Sequence, residues 1–242
     1  MKPRFVGRLG VADAVTVCNA VVGFLAAASV TVDVRLAARL VLLAAVADAL
    51  DGVLARRYGS SAAGEYLDSL ADVASFCVAP ALLVVATARD AWAVGTDPLV
   101  TLAAFGVPAA FVAAGVVRLG LYTALDGGSA ATEGVQTTLA ATVLAAAVLA
   151  GYVGPTVLVA LAAVLAVLMT LTVTYPDLHA QDALVMGLVQ VLAIALGGWY
   201  GEAFAFALLF LALAYLLLGP WFYWEGEERE DREGDREESA AA

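Results

Sequence analysis

Four aspartates, Asp48, Asp51, Asp68 and Asp72, fall within one stretch, DALDGVLARRYGSSAAGEYLDSLAD. The chain around them has 242 residues, is 63% hydrophobic and has a mean hydropathy of +0.91. A carboxylate at membrane depth costs several kcal/mol unless it is paired or metal-bound, so four of them need a shared reason. Carboxylates without His or thiolate suit hard cations such as Mg²⁺, Mn²⁺ or Ca²⁺, and such a group can hold two ions about 3.5–4 Å apart. The neighbouring residues say what the ions would hold. Gly52 and Ala55 follow Asp48 at i+4 and i+7, Gly64 precedes Asp68 by one turn, and Arg56 follows Gly52 by one turn. Small residues leave room for a bulky ligand, and an arginine fork suits bidentate phosphate binding. Together they describe a diphosphate site. An intramembrane salt-bridge cluster fits poorly, because Arg56 and Arg57 cannot neutralise four Asp plus Glu65. A cation path in a transporter is a competing reading.

The site requires two helices that face each other. Several apolar runs reach about 20 residues, the length of a bilayer-crossing helix. The expected architecture is an all-α, polytopic membrane bundle of about eight transmembrane helices. The spans run near Ala12–Val30, from the Arg35/Arg39 region to Arg57, and over Gly64–Thr87, Leu99–Thr123, Val135–Ala150, Thr156–Val173, Ala183–Leu196 and Ala203–Trp224. A short turn through Ser60 makes the second and third spans antiparallel neighbours. Asp51 and Asp68 lie nine and eight residues from Ser60, and Asp48 and Asp72 each lie twelve away, so each pair sits at one depth. The i, i+3 and i, i+4 spacings put both members of each helix on one face, and packed helices stand about 8–10 Å apart.

Residues 1–224 read as one transmembrane domain. It begins at the surface with a short basic amphipathic segment, Lys2, Arg4 and Arg8 among Phe5, Val6 and Leu9. Residues 225–242 read as a disordered acidic tail. Net charge is −11, with one Lys against eleven Arg. That balance points to salt adaptation, and the absence of a basic patch argues against nucleic acid. Lys2, Arg4, Arg8, Arg56, Arg57 and Arg118 fall on the side of the N-terminus, and Arg35, Arg39 and Arg89 fall opposite. This bias places the N-terminus and the aspartates at the cytoplasmic face. Trp221, Phe222, Tyr223 and Trp224 suit the headgroup level. Cys18 and Cys77 read as small core residues, and the single His179 lies in a polar loop, so no His-based metal site is expected.

Asp48-x-x-Asp51-Gly52-x-x-Ala55-Arg56 followed by Gly64-x-x-x-Asp68-x-x-x-Asp72 resembles the signature of the CDP-alcohol phosphatidyltransferases. The turn between its halves is one residue shorter than usual. Leu67–Ala81 (LDSLADVASFCVAPA), Asn19–Ala27 (NAVVGFLAA) and Arg118–Thr123 are similar to the phosphatidylserine synthase branch and its archaeal archaetidylserine synthase relatives, with Cys77 where that branch usually has Gly. The resemblance implies a transferase of phospholipid synthesis. A CDP-activated lipid would place its diphosphate on two divalent cations, Mg²⁺ or Mn²⁺, held by Asp48, Asp51, Asp68 and Asp72. Asp72 would also serve as general base toward the acceptor hydroxyl, expected to be that of L-serine, and CMP would leave. Gly52, Ala55, Arg56 and Gly64 would line the substrate site. Arg118 would meet the serine carboxylate or a lipid phosphate, and Asn19 would contact the nucleotide or join helices. The family pattern makes a homodimer the expected assembly. Glycerol phosphate and inositol phosphate are the alternative acceptors, and they would favour more basic residues than Arg57 and Arg118. A polyprenyl transferase would be expected to carry its Asp-rich motifs on separated loops.

Overall fold

The computed structural model describes residues 9–92, 94–126, 131–151, 153–176 and 178–222. The basic residues of the N-terminal segment, the acidic tail and the aromatic residues Tyr223 and Trp224 lie outside the described residues. Among the described residues the chain forms eight helices and one pair of short strands. They are α1 (Val11–Ser29), α2 (Val34–Tyr58), α3 (Gly64–Ala91), α4 (Pro98–Leu121), β1 (Ala131–Glu133), α5 (Thr137–Ala150), α6 (Pro155–Leu168), β2 (Thr174–Pro176), α7 (Ala180–Ala195) and α8 (Gly198–Phe222).

Four of these helices, α1, α3, α4 and α8, are long and apolar enough to cross a membrane. The 25 residues of α2 would suffice in length, but the helix carries Arg35, Arg39, Asp48, Asp51, Arg56 and Arg57. Helices α5 and α6 have 14 residues each and α7 has 16, short of the about 20 that a full crossing takes. The expected sixth span therefore ends early. After Leu168 the chain leaves the helix, and Thr174–Pro176 pairs antiparallel with Ala131–Glu133, Thr132 opposite Tyr175. The third helix runs past the expected end at Thr87, so that Arg89 and Asp90 lie inside α3. The last helix starts earlier than the expected Ala203, because α8 already begins at Gly198. The lack of a side chain at Gly201 lets that first turn close onto the Leu196 carbonyl.

Helix α5 is the centre. It is apolar all round and buries twelve of its fourteen residues, as a helix without a polar face must. It packs against α2, α3, α6 and α8, while α1 packs along α2 and α3, and α7 along α8 and α2. Polar ties set α2 in this frame. The Asp33 carboxylate caps it by accepting from the N–H groups of Arg35 and Leu36. Arg35 Nη2 donates to the Leu149 carbonyl at 3.2 Å and to Glu202 Oε1 at 2.8 Å, joining α2 to α5 and α8. Arg39 Nη2 donates to the Leu196 carbonyl at 3.3 Å, and Gln190 Nε2 to the Leu42 carbonyl at 2.7 Å. At its far end α2 closes with Gly59 at φ +84°, whose N–H reaches the Ala55 carbonyl at 2.9 Å. That left-handed residue lets the chain turn into α3 within five residues.

At the same end of the bundle the strand pair positions the start of α5. Gly134 (φ +73°) donates its N–H to the Val173 carbonyl at 2.8 Å, and Val135 donates to the Leu168 carbonyl at 3.1 Å. A side chain at Gly134 would meet the Met169 carbonyl oxygen at 2.5 Å. The Tyr175 hydroxyl donates to the Leu216 carbonyl and the Tyr215 hydroxyl to the Pro176 carbonyl, which anchors β2 on α8. Cys77 is buried, as expected, whereas Cys18 lies on an exposed face of α1 and is not a core residue.

Candidate active site

The antiparallel α2–α3 pair brings the aspartates together as their distances from Ser60 imply. Asp48, Asp68 and Asp72 each present a carboxylate oxygen such that all three lie within 4.8 Å of one another. Asp48 and Asp72 are within hydrogen-bonding reach, and Asp51 is close enough for its charge to act on Asp48, Asp68 and Asp72. Asp51 and Asp72 are buried, and Asp48 and Asp68 are half-buried. Asp51 Oδ2 is buried with no hydrogen-bond partner among the described residues. Such an orphaned carboxylate oxygen is costly, and like charges this close oppose one another. A divalent cation would relieve both, so the donor set fits hard cations.

Gly52 faces Arg56, and a methyl group added at Gly52 would stand 3.7 Å from Arg56 Nη1. Ala55 is half-buried and Arg56 exposed. Gly64 is crowded, since an added Cβ would meet Asp13 Oδ1 at 3.2 Å and Ser60 Cβ at 3.3 Å. Arg118, near the end of α4, is buried, with its guanidinium carbon 5.9 Å from the centre of the Tyr122 ring. Cys77 feels the charges of both Asp72 and Arg118, which puts Arg118 on the aspartate side of the bundle. Ser69, adjacent to Asp68, contacts Thr123 through hydroxyl oxygens 2.5 Å apart and ties α3 to the end of α4.

Helix α3 does not stay α-helical past the site. Directly after Asp72 it widens into a π-helical turn, Val73–Val78. Such turns are often found at functional sites. Here three consecutive residues, Ser75, Phe76 and Cys77, are buried. Ser75 lies on Gly23 of α1, and Cys77 lies on Gly115 of α4, where an added Cβ would approach Cys77 Sγ to 2.5 Å.

Several residues at the site were not singled out by their types. Asp13 is buried in the first turn of α1, where it accepts from the Gly10 N–H at 2.6 Å and faces Gly64. Thr138, in the first turn of α5, donates to Asp48 Oδ2 at 3.5 Å. Asn19, expected to contact the nucleotide or to join helices, has its Nδ2 3.5 Å from Asp72 Oδ1 on α3. A sequence signal for the last arrangement does exist. Gly23 follows Asn19 by one turn, and Ser75 follows Asp72 by about one turn, a pair of small residues at matched offsets.

Beside Asp48 opens a largely apolar cavity of about 490 Å³ between α2, α5 and α7, lined among others by Ala45, Ala49, Thr138, Leu139, Gly187 and Val191. Thr138 therefore belongs both to the cavity wall and to the aspartate site.

The family model for CDP-alcohol phosphatidyltransferases matches residues 9–199. The chain is also 30% identical over 177 residues to the archaetidylserine synthase of Methanothermobacter thermautotrophicus, with 71% of this chain and 71% of that protein covered.

Proposed function

The chain belongs to the CDP-alcohol phosphatidyltransferase family, and from that membership we propose that it moves a phosphatidyl- or archaetidyl-type group from a CDP-activated lipid to the hydroxyl of L-serine and releases CMP. The observation that carries the reading is the convergence of Asp48, Asp68 and Asp72 within 4.8 Å, with Asp51 beside them and Gly52 and Arg56 along the same helix. Asp48, Asp51, Asp68 and Asp72 would hold two divalent cations, Mg²⁺ or Mn²⁺. When bound, the ions supply Lewis-acid stabilisation of the diphosphate charge.

The chain's own residues do the rest. Gly52 and Ala55 leave space for the diphosphate and its nucleotide, Gly64 lets the start of α3 pack against Asp13 and Ser60 beside that space, and Arg56 donates to the phosphate oxygens. The hydrocarbon of the lipid occupies the cavity between α2, α5 and α7, whose polar edge at Thr138 adjoins Asp48. Asp72 accepts the proton of the serine hydroxyl as its oxygen bonds to the lipid-side phosphorus. The bond from that phosphorus to the bridging oxygen breaks, and its electron pair leaves with CMP. General-base assistance of this kind is typically worth about 10²–10⁴ in rate. Arg118 meets the serine carboxylate.

Serine is favoured over a phosphorylated alcohol by two facts. The relative from Methanothermobacter is named an archaetidylserine synthase, and Arg57 and Arg118 are the nearby basic residues left to bind a second phosphate. The same reading has the aspartate end facing the cytoplasm and the protein working as a homodimer. Purified protein incubated with CDP-archaeol or CDP-diacylglycerol, Mn²⁺ or Mg²⁺, and a panel of labelled alcohols tests it. Label from serine is expected in the lipid fraction. Label from glycerol phosphate or inositol phosphate instead would reassign the acceptor.

A further inference from the structure

We propose that Asn19 is a positioning residue that acts through Asp72 and not through the nucleotide; the inference rests on Asp72 being the base of the reaction proposed above. Asn19 lies in the middle of α1 with 0% of its surface exposed. Its amide nitrogen stands 3.5 Å from Asp72 Oδ1. The orientation follows from chemistry, because an ionised carboxylate only accepts, and turning the amide over would set two acceptors against each other. The other end of the amide, Oδ1, is buried with no hydrogen-bond partner among the described residues. An apolar side chain of the same size would avoid that orphaned oxygen. The polar group is therefore accounted for by what its nitrogen does. The distance is long for a hydrogen bond, as catalytic contacts often are before substrate binds.

The backbone around Asn19 is fixed at the same place. The Ser75 hydroxyl donates to the Asn19 carbonyl oxygen at 3.0 Å. Gly23, one turn further along α1, lies so close to α3 that an added Cβ would stand 2.7 Å from Ser75 Cα and 2.9 Å from its nitrogen. Ser75 sits in the π turn that begins directly after Asp72. Gly23 and Ser75 thus set the rotation and height of α1 on α3, and that setting brings the Asn19 amide to Asp72. With one oxygen met by Asn19, the carboxylate plane of Asp72 is set, and its second oxygen is left to the cation site and the reacting hydroxyl proposed above.

The test uses the full-length protein in nanodiscs, with kcat and KM measured for CDP-lipid and serine at saturating Mn²⁺. Mn²⁺ binding is followed by electron paramagnetic resonance and CDP-lipid binding by calorimetry. Asn19→Leu keeps the volume and removes the donor. Its kcat is expected to fall about 10- to 100-fold, the order of loss that misplacing a reacting group brings. KM for CDP-lipid and the affinity for Mn²⁺ should stay within about threefold on the same argument. Ser75→Ala should show the same split with a smaller loss. A rise in KM or Kd for CDP-lipid with kcat retained would return Asn19 to the nucleotide and overturn the proposal, as would an unchanged kcat. If Asn19→Leu fails to fold, Asn19→Ser and Ser75→Ala decide, and wild-type kcat in both overturns it. Asp72→Asn is measured in parallel. If that variant keeps turnover, the base assignment itself fails; if it is inactive while Asn19→Leu is normal, only the present inference fails.

Discussion

Asp51 carries the sharpest residue-scale consequence. Its Oδ2 is buried with no hydrogen-bond partner among the described residues, and a ligand that compensates it should be bound tightly through it. Asp51→Ala is expected to weaken Mn²⁺ binding at least about tenfold, since losing an interaction with a charged group costs roughly 1.5–3 kcal/mol, and CDP-lipid binding should weaken with it. Manganese titration by electron paramagnetic resonance checks this; normal CDP-lipid affinity of the variant in the presence of chelator would contradict the cation site. Arg56→Lys keeps the charge and loses the fork. It is expected to raise KM for CDP-lipid by roughly tenfold, with a smaller effect on kcat. Initial-rate measurements decide between that and an unchanged KM, which would remove Arg56 from the diphosphate. The approach of Asp48 to Asp68 and Asp72 was legible in the chain, because helical periodicity and a short turn through Ser60 set them on two facing helices. The partners of Asn19 and Thr138 were not, because they depend on how α1 and α5 are set against α2 and α3, and no local spacing encodes that.

Two glycines decide at the element scale how closely the helices meet. Helices in a membrane gain little from hiding apolar surface from lipid, so close packing at small residues holds them together. At Gly23 the obstacle to a side chain is the backbone of Ser75, which cannot swing aside. Gly23→Ala should therefore force α1 off α3 at a cost of about 1–3 kcal/mol, seen as a lowered thermal midpoint together with reduced turnover. At Gly115 the obstacle is chiefly Cys77 Sγ, a side-chain end, so the double variant Gly115→Ala/Cys77→Gly should be better tolerated than Gly115→Ala alone. Comparing the thermal midpoints of both with wild type checks this, and equal destabilisation would place the constraint elsewhere. The helix order and the α2–α3 turn followed from the pattern of apolar runs and polar breaks. The π turn did not, because Val73–Val78 reads as ordinary apolar helix and widens only to bury Ser75 and Cys77 on two neighbours at once. The strand pair was missed for a similar reason. Thr174–Pro176 has three residues, too few for an alternation, and its pairing is made across the chain with Ala131–Glu133.

At the scale of the whole molecule, one end of the bundle carries the aspartates and the other carries arginine clasps. Asp48, Asp51, Asp68, Asp72, Arg56 and Arg118 gather at the end where α2 passes into α3, while Arg35 and Arg39 bind helix-end carbonyls of α5 and α7 at the opposite end. With the aspartate end in the cytoplasm, a cysteine introduced by Ser60→Cys in a Cys18→Ala/Cys77→Ala background should react with an impermeant maleimide only in inside-out vesicles. One introduced by Thr31→Cys should react only in right-side-out vesicles. The reverse labelling would invert the topology. The claim on which all of this depends is that the aspartate centre transfers a lipid phosphate to an alcohol, with Asp72 as base. The most direct measurement is CMP release from CDP-archaeol with serine and Mn²⁺, made alongside calorimetric CDP-lipid binding for wild-type protein and Asp72→Asn. The wild-type protein should release CMP in step with labelled serine lipid, and the variant should bind CDP-lipid yet release none. Full CMP release by Asp72→Asn, or none by the wild-type protein with any alcohol, would contradict the account.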